Sequence, residues 1–267
     1  MIADFHNDFP TDVKFDALLS QYQKTDNKIV GAVFKGKRTF DEVEMLADRF
    51  VNKKSDRLYL AFEEFCFDKP ISFHEKLLDF NPVYVTLTWN YDNKFAGGAL
   101  GCGGLTTDGR EFIDILNNKR VFVDLSHLNR KSFYDVIDTA ENVVCSHTAF
   151  DAVSSHKRNL TFEQLSVLKK RNVLVGLCFY PYFLNGTSRA TVDDIADHIE
   201  YFAERFGVDT LCLGTDFCGC EVYPEKMVDY SFENVLFDQL TARGLDKASI
   251  EKIFYKNLGK FLDGFYR

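Results

Sequence analysis

Short apolar runs, several rich in β-branched residues, alternate along this chain with stretches whose apolar positions recur at helical spacing. Residues 2–6 read as a first strand and 12–23 as a helix. Residues 28–34 form a second strand, followed by a helix over 39–52 that opens on a capping box of Thr39 and Glu42. A third strand over 57–65 leads to a short helix at 72–78, and a fourth strand over 83–89 leads through a Gly-rich loop (90–104) to a helix at 108–118. Strand 121–125 precedes helix 131–140. Strand 142–146 precedes helix 161–171, again boxed by Thr161 and Gln164. Strand 173–179 precedes helix 192–206, where Ile195, Ile199, Phe202 and Phe206 mark the buried face. Strand 210–214 and helices at 232–242 and 247–265 close the chain. Eight strands, each followed by a helix, predict a parallel sheet. Their number and the 267-residue length predict an α/β fold, a TIM-like (β/α)8 barrel with a C-terminal helical extension. A doubly wound open sheet is the alternative. No break in composition divides the chain, so a single domain over 1–267 is expected.

Composition narrows the partners. The chain is 46% hydrophobic and 27% charged, and its net charge of −8 argues against a nucleic-acid partner. No apolar run approaches the ~20 residues of a membrane span, and no basic segment followed by an apolar one suggests a signal peptide. The seven cysteines are odd in number and several fall in strand-like runs, which points to reduced thiols and a cytoplasmic location. Cys218-Gly219-Cys220 has the wrong spacing for a CxxC pair. The 27 phenylalanines read as core packing.

Chemistry concentrates at the strand ends. His6 and Asp8 are two apart, so on an extended strand they leave on the same side, and Pro10 stops the strand just beyond. Strand three ends in Glu63-Glu64. Strand five runs into Asp124-Leu125-Ser126-His127, strand six into Ser146-His147-Thr148, and strand eight into Gly214-Thr215-Asp216. Catalytic groups of barrels sit at these C-terminal ends, and a carboxylate after an apolar strand is costly to bury unless paired or bound to metal. Imidazole and carboxylate donors without thiolate suit Zn²⁺, with Mn²⁺, Fe²⁺ or Co²⁺ as alternatives. Six ligands suit two ions with a bridging carboxylate, roughly 3.5–4 Å apart. His74 and His198 fall within helical patterns and read as packing or surface residues. Arg158, in the loop after strand six, is either a solvated charge or a bidentate partner for a substrate carboxylate.

These stretches together resemble the membrane dipeptidase (renal dipeptidase) family of zinc metallopeptidases, within the amidohydrolase-type barrels. The matching segments are His6-Asn7-Asp8-Phe9-Pro10, Leu87-Thr88-Trp89-Asn90, Gly104-Leu105-Thr106, Val123-Asp124-Leu125-Ser126-His127, Ser146-His147-Thr148, His156-Lys157-Arg158-Asn159 and Gly214-Thr215-Asp216-Phe217. The resemblance implies two zinc ions, one served by His6, Asp8 and Asp216 and the other by His127 and His147. Glu63 would bridge them, with Glu64 as second choice. It implies a metal-bridging hydroxide attacking a dipeptide carbonyl, Asp216 as proton shuttle, Arg158 on the substrate's terminal carboxylate, and Tyr180 (or Tyr182) against the substrate. Trp89 stands where the best-known members carry an oxyanion-stabilising histidine, and Cys218 where a second Asp is usual. These departures leave the ligand set intact and bear on the substrate.

The function expected is therefore a dipeptidase acting on small dipeptides, without nucleic acid or membrane as partner, and carried as a homodimer. A related amidohydrolase or phosphoesterase with another substrate, or a non-catalytic metal- and peptide-binding protein, is the alternative. If one ion draws ligands from the first and last strands, His6→Ala lowers the melting temperature of the metal-loaded protein as well as abolishing turnover. Thermal melts decide this, and an unchanged melting temperature overturns it.

Overall fold

The structure, a computed structural model, describes residues 1–265. Its strands are β1 (Ala3–Asn7), β2 (Lys28–Phe34), β3 (Leu58–Glu63), β4 (Tyr84–Thr86), β5 (Phe122–Asp124), β6 (Val143–Thr148), β7 (Val175–Leu177) and β8 (Leu211–Leu213). They follow one another in sequence order around a closed barrel, which is the expected TIM-like topology with helices appended at the C-terminal end. Parallel registers include Phe62 opposite Val85, Val85 opposite Val123, Leu177 opposite Leu213 and Asp4 opposite Leu213.

Several elements differ from the sequence expectation. β4, β5, β7 and β8 are three residues each, because their apolar runs continue into buried loop backbone beyond the ladder. β6 runs on through Thr148, so His147 lies within the strand. The helix expected at 12–23 is a 3-10 turn, Phe9–Thr11, and a shorter helix, Phe15–Tyr22. Pro10 sits in that turn, where its missing N–H costs nothing. The last expected helix is broken into Lys247–Glu251, a wide π turn at Lys252–Lys256, and Asn257–Phe265. A short helix not expected from the sequence, Pro181–Leu184, starts on a proline at its first position. Both capping boxes are present as read.

The chain forms two compact units. One comprises Met1–Asn7, Ser20–Ile29 and the chain from Ser146 on; the other comprises Asp8–Leu19 and Val30–Cys145. The core of the second is aromatic. Phe112 stacks between Phe65 (5.5 Å, 13°) and Phe95 (4.9 Å, 12°), and His74 packs against the same rings. In the first unit, Phe150 meets His198 and Phe202, while Phe179, Phe217 and Phe232 form a second cluster. The high phenylalanine content is spent on these cores. Gly176 and Gly214 admit the carbonyl of Ser146, which would lie 1.9 Å from a β-carbon at either position. Only glycine lets β6 run that close to its neighbours.

His74 and His198, both fully buried, are structural. His198 accepts the Phe150 N–H at Nδ1 (3.2 Å) and donates from Nε2 to the Leu184 carbonyl (3.0 Å). His74 accepts the Phe67 N–H at Nε2 (2.9 Å) and donates from Nδ1 to the Pro70 carbonyl. Each ring is thereby one neutral tautomer, and a second proton would face an N–H. Burial pushes both imidazoles down from 6.5 to about 4. The unfolded chain takes up these protons first as pH falls. The contribution of each histidine is therefore complete above 6.5 and is lost between 6.5 and about 4. Denaturant unfolding across that window should show declining stability, with a shallower decline in His198→Gln.

Candidate metal and substrate site

In the first unit, β1 delivers His6 and β6 delivers His147, both imidazoles fully buried. Their rings lie 3.8 Å apart at 39°. The Ser146 hydroxyl lies 2.8 Å from His147 Nδ1 and 3.5 Å from His6 Nδ1. One hydroxyl set between two imidazoles is the kind of outer contact that fixes the ring orientation of a ligand. Asp216 comes from the turn after β8, where its backbone is left-handed (φ +62°), a conformation Asp tolerates better than most residues. Its N–H donates to the His6 carbonyl (3.0 Å), and its Oδ1 lies 3.9 Å from His6 Nε2. His6 thus neighbours both the His147 ring and the Asp216 carboxylate, two imidazoles and a carboxylate in all.

Beneath this trio lies a carboxylate the sequence reading did not single out. Asp4 is wholly buried two residues before His6. It accepts the Thr215 N–H (2.8 Å) at Oδ1, and the hydroxyls of Thr215 and Tyr230 (2.6 Å each) at Oδ2. Burial raises its pKa and these hydrogen bonds pull the other way. The period-2 alternation Asp4, His6, Asp8 was the available signal.

Arg158 is also buried, at 6% exposure. One guanidinium nitrogen, Nη2, donates to the His147 carbonyl (3.3 Å), and the group sits over the Phe183 ring at 5.2 Å. Among the described residues it has no carboxylate partner, and its Nε has no hydrogen-bond acceptor. Tyr180 packs edge-on against the same Phe183 ring (4.9 Å), and the His156 ring lies 4.7 Å from it. The structure therefore brings Tyr180 and Arg158 to one aromatic platform. Tyr182 is further out and more exposed. His156 is held by burial and by the Arg158 charge below its ordinary pKa, and accepts the Arg158 N–H at Nδ1 (3.1 Å).

In the second unit, Asp8 is buried directly after β1. Its carbonyl closes the Phe9–Thr11 turn, while its side chain does not cap it. Glu63 ends β3, buried, with Oε1 2.9 Å from His127 Nε2. His127 has a left-handed backbone (φ +69°), and its Nδ1 lies 3.1 Å from Asn90 Oδ1. That contact assigns the ring proton to Nδ1 and leaves Nε2 as the donor atom for a metal. Asn90, at the start of the Gly-rich loop, was not singled out from the sequence. Glu64 diverges from Glu63. Its backbone is left-handed (φ +56°), its N–H donates to Thr86 Oγ1 (2.7 Å), and its carboxylate lies 4.0 Å from Lys35 Nζ. Trp89 is 39% exposed, tilted against Phe34 (5.5 Å) and 6.3 Å from the His127 ring.

The candidate donors are nitrogen and oxygen, buried except for the partly exposed Asp216, with imidazoles oriented by their second nitrogens. That chemistry fits a divalent metal of the zinc type. None of the seven cysteines forms a disulfide.

Comparison with known proteins places these features. The model of the membrane dipeptidase family (Peptidase family M19) matches residues 75–264. An uncharacterised dipeptidase of Schizosaccharomyces pombe is 36% identical over 157 residues, covering 55% of this chain and 38% of that one. Dipeptidase tcpJ of Claviceps purpurea is 31% identical over 186 residues, 67% of this chain and 44% of that one. The chain thus spans less than half the length of these two curated relatives. Among solved structures, an amidohydrolase from Pseudomonas aeruginosa superposes with a TM-score of 0.86 at 20% identity, covering 100% of this chain and 96% of that one. A metallo peptidase from Rhodobacter sphaeroides, liganded with a phosphinate mimic of the dipeptide L-Ala-D-Ala, superposes with a TM-score of 0.79 at 19% identity over 98% of each chain. At these identities the likeness shows the shared fold.

Proposed function

The chain belongs to the membrane dipeptidase family, and from that footing we propose that it is a metal-dependent dipeptidase with a binuclear centre. The observation that carries the substrate side is Arg158. A buried guanidinium without a carboxylate partner is expensive to keep. A substrate carboxylate would relieve that cost, and a chain terminus beside the scissile bond supplies one. Tyr180, on the same Phe183 platform, would line the substrate.

On the metal side, His6, Asp8 and Asp216 would hold one ion and His127 and His147 the other, with Glu63 between them. Support comes from the family match and from contacts within each unit, His6 beside Asp216 in the first and Glu63 beside His127 in the second. The 2.9 Å approach of Glu63 to His127 favours Glu63 over Glu64, which turns toward Lys35. Zinc is the first choice, with manganese, iron or cobalt as alternatives. When bound, the ions supply Lewis acidity at the peptide carbonyl and lower the pKa of the attacking water. The Asp216 carboxylate takes the proton from that water and returns it to the leaving amine. Trp89 can offer one indole N–H to the developing oxyanion and, unlike a histidine, cannot become a cation there. A reducing, cytoplasmic setting is part of this reading, in which the seven cysteines form no disulfide.

A panel of dipeptides and matching tripeptides, including D-residues at the C-terminal position, tests the function with and without a chelator. Turnover of dipeptides alone, lost to chelator and restored by metal, is expected. Absence of turnover with both ions bound would leave a binding protein. Arg158→Met raises KM by about a hundredfold while metal content by elemental analysis stays the same. Loss of metal from that variant contradicts the assignment.

A further inference from the structure

Two thiols close on one oxygen of Asp216. Cys220 Sγ lies 3.1 Å from Oδ2 and Cys178 Sγ 3.7 Å from the same atom, whereas Oδ1 is the oxygen on the His6 side. They arrive from different elements. Cys178 follows β7 immediately and is fully buried, its N–H donating to the Thr148 carbonyl (2.7 Å). Its sulfur accepts the Tyr180 N–H (3.4 Å), which leaves its S–H to turn toward Asp216. Cys220 is carried back over the carboxylate by a tight curl of the chain. Asp216 and Cys218 both adopt left-handed backbone (φ +62° and +67°), and the Gly219 N–H closes onto the Asp216 carbonyl (3.1 Å). The Cys218 N–H is anchored on the Tyr223 hydroxyl (2.9 Å). The curl gives Cys218-Gly219-Cys220 a use that its spacing does not suggest.

An aspartate side chain can exchange its two oxygens by rotation about its terminal bond, a broad torsion. As a metal ligand that must also receive a proton, Asp216 needs one oxygen held and the other presented. We infer that Cys220 and Cys178 are positioning residues for Asp216: their S–H groups engage Oδ2 and keep Oδ1 turned to the His6 side. The inference rests on the reading of Asp216 as ligand and proton carrier. Thiols are weak donors, so the effect is one of orientation more than of binding strength, and it acts on the turnover step more than on substrate affinity.

The test uses the full chain loaded with Co²⁺, comparing the unsubstituted protein with Cys220→Ala and Cys220→Ser. Cys220 is half-buried, so its truncation spares the core, and circular dichroism verifies the fold of each variant. Cys220→Ala is expected to lower kcat about tenfold with KM little changed, and to shift the visible d–d bands as Asp216 reorients. Cys220→Ser, which keeps an O–H donor, restores both. Unchanged kcat and spectrum in Cys220→Ala overturn the inference, as does a Ser variant no better than Ala. Loss of a near-ultraviolet sulfur-to-cobalt charge-transfer band in Cys220→Ala also overturns it, since the thiolate would then be a ligand itself. If the unsubstituted protein turns over no dipeptide, the dipeptidase reading fails, and the cobalt spectra still decide whether the thiols orient Asp216.

Discussion

The buried carboxylate of Asp4 is the interaction on which the geometry of the first unit depends. It lies at the seam where β1 pairs with β8, opposite Leu213, and receives an amide and two hydroxyls from residues more than two hundred positions away in the chain. Desolvation of a carboxylate is costly, and each hydrogen bond recovers part of that cost only if its donor is held in place. Thr215 is therefore fixed against β1, and with it the following residue, Asp216, whose N–H donates to the His6 carbonyl. The candidate ligands His6 and Asp216 meet because a second, non-ligating carboxylate two residues earlier locks their backbones. Asn7 extends the same network through the Tyr230 hydroxyl (2.9 Å).

A complementary constraint governs Arg158. The loop after β6 folds so that Thr148 Oγ1 donates to the Arg158 carbonyl (3.0 Å) and the guanidinium is drawn under Phe183. The aromatic ring and the His147 carbonyl compensate the charge in part. Nothing among the described residues neutralises it, so the site favours an anion over any neutral group of the same size. Arg158, Tyr180 and His156 share one phenylalanine. The short helix that supplies Phe183 is what brings these three side chains together, although four residues with a leading proline carry little sequence signal.

The structure also separates neighbours that the sequence presented as equivalent. Glu63 and Glu64 are adjacent carboxylates at a strand end, and alternation alone says only that one of them faces inward. The backbone decides which. Thr86 takes the Glu64 N–H, the chain turns left-handed, and the second carboxylate swings to Lys35. His74 and His198 needed no such resolution. Their place in amphipathic helices already suggested packing, and their buried, tautomer-specific contacts bear that reading out.

The sequence by itself determined the repeating strand–helix order, the two capping boxes and the identities of the strand-end residues. Those depend on periodicity and on local backbone chemistry, which few neighbouring residues decide. Only the tertiary structure decided where each ladder stops, that the final helix is interrupted by a π turn, and that Asp4, Asn90, Cys178 and Cys220 touch the candidate ligands. Asn90 and Cys178 reach their ligands from 37 and 38 positions away, Asp4 is fixed by partners more than two hundred positions on, and Cys220 is folded back onto Asp216 by a left-handed curl. Burial and hydrogen-bond satisfaction select these contacts once the barrel has closed.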